Sequence, residues 1–411
     1  MANSRNRSSL LSVDAALDRM LASLSPTMPM RQLLTDALGK ILAEDIHAKL
    51  TLPPHDVSAM DGYAVRADDV ANCPATLTRI GEAAAGHPWA GRVEAGQAVR
   101  IFTGGYVPDG ADTIIIQENV DATSEADHTV ITVHEGAAKG RYIRPAGLDI
   151  SAGALALGKG TLLSARCIGL AIAAGATSAV VSRPPRIGIL STGDELVPPG
   201  QIPGPGQIIS SNAAFLSAFV KSCGGEAVDL GIATDKPGAV SDTVMAATNL
   251  DLVVTTGGAS VGNHDHIVDD LADGALGFWK IAMRPGKPLI WGKIGNAPLL
   301  GLPGNPVSTA VCALVFLAPA ISKLGGGTHQ QHLFSAAITT DLPENDLRQD
   351  YIRARMGRAD HGVTSVRPAQ RQDSSMMATL AQADAFIVRP PFDPPINAGD
   401  IVSILPMPRL F

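Results

Sequence analysis

Along the 411 residues the apolar positions change period several times, and each change marks an expected element or domain. Leu11, Ala15, Leu17, Leu21 and Leu24 recur at helical spacing. Pro26 and Pro29 interrupt that pattern and residues 33–41 resume it, so two helices are expected. From Tyr63 to Val133 the apolar runs become short and β-type, at 77–80, 99–102, 113–117 and 130–133. Each is bounded by Gly, Pro, Asn or Asp, which reads as a small all-β domain. A helical pattern returns at 164–174, so the β part reads as an insertion into a helical domain. Runs at 187–190, 227–230, 252–254 and 289–291 then alternate with helical patterns at 213–222, 237–247 and 306–323, the signature of a parallel sheet covered by helices. After Gly325-Gly326-Gly327 five further β runs follow, at 334–338, 351–354, 364–367, 385–389 and 401–405. The expected architecture is an α/β multidomain chain. Its parts are a discontinuous helical domain (1–50 and 140–182), an inserted β domain (51–139), an α/β domain (183–326) and a C-terminal β domain (327–411).

Three segments of the α/β part share one grammar of strand, glycine loop and polar residues. They are Arg186 to Leu196, ending in Thr192-Gly193-Asp194-Glu195; Asp251 to Asp265, with Gly257, Gly258 and Gly262; and Leu299 to Ser308, with Pro303-Gly304-Asn305-Pro306. Glycines leave backbone N–H groups open to an anion. Ligands of open α/β sheets bind outside the carboxyl ends of the strands, so Asp194, Glu195, Asp265 and Asn305 are expected to converge. Asp265 has two readings, a cap on a helix starting near residue 266 or a group that holds Mg²⁺ or a substrate hydroxyl. Asn305-Pro306 fits a helix N-cap followed by proline, with N–H groups that favour a phosphate. Thr234-Asp235-Lys236-Pro237 reads as a helix start, with Asp235 in the role of cap.

Composition narrows the class. Hydrophobic residues make up 45% and charged residues 17% of the chain, a globular balance with enough apolar residues for large cores. A formal net charge of -7 argues against a general nucleic-acid surface. The four cysteines are isolated, without metal-site spacing, and read as reduced packing residues of a cytoplasmic protein. Residues 162–181 contain Arg166 and several glycines, and 307–320 is too short to span a bilayer, so no membrane segment is expected.

Six motifs carry a resemblance: Ser58-Ala-Met-Asp-Gly-Tyr63, Arg100-Ile-Phe-Thr-Gly-Gly105, Ser191-Thr-Gly-Asp-Glu-Leu196, Thr256-Gly-Gly-Ala-Ser-Val-Gly262, Pro285-Gly-Lys-Pro288 and Gly301-Leu-Pro-Gly-Asn-Pro-Val-Ser308. Together, and in this order, they closely resemble the molybdopterin molybdenumtransferases, molybdenum insertases related to the carboxy-terminal domain of gephyrin. The resemblance implies a central three-layer α/β pterin-binding domain. It implies a homodimer with a shared active site that uses Mg²⁺ to insert molybdate into adenylated molybdopterin, releasing AMP. It places the functional groups on Asp61, Thr103, Glu195, Asp235 and Asp265, with Glu195, Asp235 and Asp265 as the metal set. Arg144, Asp149, Asn212, Gly257, Gly258, Ser260, Lys287, Pro303, Asn305, Pro306, Ser374 and Ser375 line the substrate cleft, and contact with a molybdopterin adenylyltransferase is a further expected partnership. Alternatives of the same fold are an adenylyltransferase or nucleotide hydrolase, and a gephyrin-like scaffold. The chain departs from the family pattern at Arg284, where lysine is usual, at His264 and His266, and at Gln372-Asp373.

Overall fold

The computed structural model describes residues 10–124, 129–258, 271, 276–328, 331–358 and 362–408. Two compact units result, one formed by residues 1–30, 39–43 and 180–411 and the other by 31–38 and 44–179.

The larger unit is built on a six-stranded sheet in the order Glu226–Ala233, Arg186–Thr192, Leu252–Thr256, Ala297–Leu302, Ile290–Ile294, Leu276–Trp279. The first four strands are parallel, and the last two pairings are antiparallel, so Ile290–Ile294 alone runs against the rest. The expected parallel sheet is thus a mixed one. The run at 289–291 belongs to a hairpin turned at Gly295, whose φ of 57° suits a tight two-residue connection. Alternate residues of the central strands feed opposite faces, as period-two geometry requires. Ile187, Ile189, Val254 and Leu300 pack with the helices Ser211–Ser222 and Val13–Ala22 and with the helical run 306–324. Leu190, Val253 and Leu299 pack against Val240 and Val244 of the helix Ala239–Ala246. Three layers follow. The run Pro306–Leu324 is long and apolar enough to cross a membrane, yet 89% of its apolar window is buried inside the fold, where it serves as the core helix.

Five strands of the same unit close on themselves, in the order Gln349–Arg358, Thr364–Pro368, Phe334–Ile338, Ile401–Pro406, Ala385–Arg389 and back to the first. Closure removes the free edges of this small sheet, whose pairs are antiparallel except the parallel one between Phe334–Ile338 and Thr364–Pro368. All five β runs read from the sequence appear here.

The smaller unit holds a six-stranded sheet ordered Thr113–Ile116, Gly62–Val65, Gln97–Ile101, Ala75–Ala83, Thr129–Val133, Val120–Ser124. Tyr63 and Val65 face one apolar cluster and Ala64 the other. The helix Ala165–Ala173 starts at Ser164, whose Oγ accepts the Cys167 N–H at 3.4 Å. The expected helix at 33–41 does not form. Pro29–Leu33 is a strand, followed by one 3₁₀ turn at Leu34–Asp36 and by Gly39 at φ 75°. Only Leu34 and Ala37 are buried there, while Leu33 and Leu38 are exposed, so the apparent apolar stripe has no surface to cover.

Candidate functional site

The strands Arg186–Thr192, Leu252–Thr256 and Ala297–Leu302 are sheet neighbours and run parallel, so their loops emerge at one edge. A cleft of about 640 Å³ opens there, lined by Glu195, Asp235, Gly257, Gly258, Asn305 and Ser375 among others. Gly257 is required by geometry. Its φ is 95° and a Cβ would run into the Thr192 carbonyl and hydroxyl. Asn212, near the start of the helix Ser211–Ser222, ties the rim together through Nδ2, which donates to Thr256 Oγ1 at 2.9 Å and to the Gly304 carbonyl at 2.7 Å. The hydroxyl of Thr192, also on the lining, is buried without a hydrogen-bond partner among the described residues.

Glu195 is exposed, and its carboxylate folds back over Gly193, with Oε2 2.5 Å from where a Cβ on that glycine would stand. Asp235 is not a helix cap. The helix begins at Ala239 with Gly238 at the N-cap and no side-chain cap bond. Asp235 instead accepts the Asp194 N–H at 3.3 Å, and Asp194 accepts the Asp235 N–H at 3.1 Å, a reciprocal pair that sets both loops on the cleft. The Asn305 side chain makes no cap bond, although Pro306 does occupy the first turn. Few N–H groups remain free at this helix start, because Pro306 has none and Val307 N–H donates to the Ser374 carbonyl at 3.0 Å. Asp265, Ser260, His264 and His266 lie outside the described residues.

A second cleft of about 620 Å³ carries Lys287, Arg284, Arg353 and Ser374. Pro288 borders both clefts, and the adjacent hydroxyls divide between them, Ser375 on the first and Ser374 on the second. The sequence reading missed Arg353. It is 1% exposed and donates to the carbonyls of Asp373 at 2.8 Å, Met376 at 3.1 Å and Arg371 at 3.4 Å, so it cages the loop that bears both serines. Burial lowers its pKa. Gln372 completes the cage, its Oε1 accepting the Arg353 N–H at 3.0 Å and its Nε2 donating to the Arg353 carbonyl at 3.0 Å. A charged residue in a β run reads as solvent-facing, and only tertiary context shows this one turned inward.

In the other unit Asp61 sits at an exposed turn before the strand Gly62–Val65. Its Oδ1 accepts the Thr103 N–H at 2.7 Å and the Thr103 hydroxyl at 2.8 Å. These two donors, the N–H first, hold the Asp61 carboxyl below its ordinary range, with Arg100 assisting. Arg100 lies over the Tyr63 ring at 5.0 Å and donates to Gln117 Oε1 at 2.6 Å. Arg144 pairs by backbone with Val57, on the segment leading to Asp61, and Asp149 N–H donates to the Leu52 carbonyl. The side chains of Arg144 and Asp149 are exposed.

A mixed α/β sheet with a carboxylate-bearing strand-end cleft defines a nucleotide- or cofactor-handling class of enzyme. Comparison with known proteins specifies the family. Three family descriptions match in chain order: the MoeA N-terminal region (domains I and II) at 11–175, a probable molybdopterin binding domain at 188–323 and the MoeA C-terminal region (domain IV) at 335–407. The chain is 36% identical to the molybdopterin molybdenumtransferase of Haemophilus influenzae over 98% of its own length and 100% of the relative's. It is 36% identical to that of Nostoc sp., covering 90% of this chain and 87% of the relative. A molybdopterin biosynthesis moeA protein from Pyrococcus horikoshii superposes with a TM-score of 0.83 at 28% identity, over 97% of this chain and 100% of that one. The chain belongs to the molybdopterin molybdenumtransferase family, and is thereby an enzyme of molybdenum cofactor biosynthesis that inserts molybdenum.

Proposed function

We propose that the strand-end cleft takes adenylated molybdopterin, that the adjoining cleft presents molybdate, and that insertion proceeds with release of AMP. The shared wall of Pro288 and Ser374-Ser375 carries this reading, since it sets a nucleotide-sized cleft against one with an exposed lysine. Lys287 supplies the charge for the oxyanion. Asn212, Pro303, Asn305, Pro306 and Ser375 shape and orient the nucleotide end, and Gly257 and Gly258 admit it close to the backbone.

Magnesium fits the donors present. Glu195 and Asp235 offer hard oxygens, and Mg²⁺ needs only one or two protein carboxylates when water and substrate phosphates complete its shell. Among the described residues no group of three metal-binding side chains occurs, and Asp265, the third expected ligand, lies outside them. Glu195 and Asp235, with Asp265, would hold the ion, which when bound supplies positive charge at the phosphates. The protein's own part is positioning, with no covalent nucleophile. Asp61 and Thr103, with Arg144 and Asp149 of the same unit, are proposed to complete the site from a second copy in a homodimer. The protein would work in the cytoplasm, receiving its substrate from a molybdopterin adenylyltransferase.

The test is single-turnover AMP release from adenylated molybdopterin. Release should require both molybdate and Mg²⁺, and Glu195→Gln or Asp235→Asn should slow it on the order of 100-fold. Molybdate-independent release at the full rate would contradict the insertase step, and AMP release from ATP alone would favour a nucleotide hydrolase.

A further inference from the structure

Five cations line the second cleft, and four of them are spent within the protein. Arg348 donates to Asp346 Oδ2 at 2.8 Å. Arg389 donates to Asp393 Oδ2 at 2.8 Å and to the Pro394 carbonyl at 2.6 Å. Arg353 is caged by carbonyls. Arg284 donates to Asp346 Oδ2 at 3.0 Å, to Asn345 Oδ1 at 3.1 Å and to the Asp350 carboxylate. Lys287 is exposed and forms no ion pair among the described residues.

The partners of Arg284 are themselves anchored. Asn345 is 6% exposed and donates to the carbonyls of Arg348 and Pro390, each at 2.8 Å. Asp350 is 8% exposed and opens the barrel strand Gln349–Arg358, which pairs in parallel with Met283–Arg284. Three residues further on, the Lys287 carbonyl accepts from Ile281 N–H at 3.0 Å and Leu289 N–H at 3.1 Å. Between them Gly286 has φ 115°, and a Cβ there would stand 2.7 Å from Cys312 Sγ in the core helix. The segment that carries Lys287 is therefore pinned at both ends and underneath.

We infer that Arg284 is a positioning residue, a clasp that fastens the segment 283–288 to the C-terminal barrel and so fixes Lys287 at the oxyanion cleft without contacting the oxyanion itself. The inference rests on the proposed role of Lys287. A guanidinium is suited to this task because its rigid planar fork holds two separate nitrogens on the three acceptors, whereas the three donors of an ammonium radiate from one nitrogen on a flexible stem. Hydrogen bonding to Asp350 raises the Arg284 pKa, so the clasp stays charged.

Equilibrium dialysis against sodium molybdate tests it, using the wild-type chain, Arg284→Lys, Lys287→Met and the double variant. Arg284→Lys keeps the charge and leaves Asp350 a partner, so the fold is spared, and thermal melting checks this. The clasp predicts that Arg284→Lys weakens molybdate binding about 3- to 10-fold when Lys287 is present and less than twofold when it is Met, because coupled residues are non-additive. Wild-type affinity in Arg284→Lys would show that only its charge matters and overturn the clasp. Equal losses in both backgrounds would also overturn it, since the effect would then bypass Lys287. Unchanged affinity in Lys287→Met alone would remove the proposed oxyanion role of that lysine, a failure distinct from the other two.

Discussion

At the scale of single residues, charge state is set by donors more than by burial. Asp61 is exposed, yet two donors from Thr103 stabilise its carboxylate. The sign is fixed by that stabilisation. With its folded pKa depressed, the carboxylate remains charged as pH falls below the ordinary aspartate range, and the favourable interaction is lost only as pH drops through the lowered value. Thr103→Val removes the hydroxyl donor and keeps the N–H, so the Asp61 midpoint in a carbon-13 NMR titration should rise part of the way toward the ordinary 3.8. A midpoint unmoved by the substitution would mean that the hydroxyl contributes nothing. Arg353 shows the reverse arrangement, a buried cation satisfied by carbonyls. Arg353→Met should leave those carbonyls unpaired, at roughly 1–3 kcal/mol for each buried group left unsatisfied. A lowered melting temperature with faster proteolysis within 369–376 is the expected result. Unchanged cleavage would show that the loop holds its shape without the arginine.

At the scale of elements, the strand and glycine-loop units were legible because period and punctuation agree. The run 252–254 is apolar throughout, Gly257 and Gly258 end it, and the structure finds a fully buried central strand with positive φ at both glycines. Gly257→Ala should cost roughly 1–3 kcal/mol, because an L side chain is strained at that φ and the Thr192 backbone cannot retreat. Chemical denaturation measures it, and a stability equal to wild type would mean that the loop can relax. Elsewhere local pattern failed for identifiable reasons. Residues 33–41 have helical spacing but no surface to bury, so strand and turn win. The run 289–291 has strand character, but sequence periodicity carries no information on direction, and the Gly295 turn makes it antiparallel. Asp235 resembled a cap because Pro237 follows it, whereas its carboxylate is taken by Asp194 N–H, 41 positions away in the chain.

At the scale of the whole molecule, the α/β multidomain class was readable from changes in period, whereas the candidate acids Asp61 and Asp235 came from the family resemblance and not from the pattern. The clasp of Arg284 was not readable, because its partners lie more than 60 positions downstream on the barrel. Asp61 and Thr103 belong to one compact unit and Glu195 and Asp235 to the other. The account assigns them to one active site completed by a second copy. The most direct measurement is AMP release by purified heterodimers that combine an Asp61→Asn subunit with an Asp235→Asn subunit, each carrying a different tag. A shared site places both lesions in one site and leaves the other whole, so mixing two inactive proteins should restore about half of the wild-type activity per dimer. Correctly assembled heterodimers that remain inactive would contradict the account.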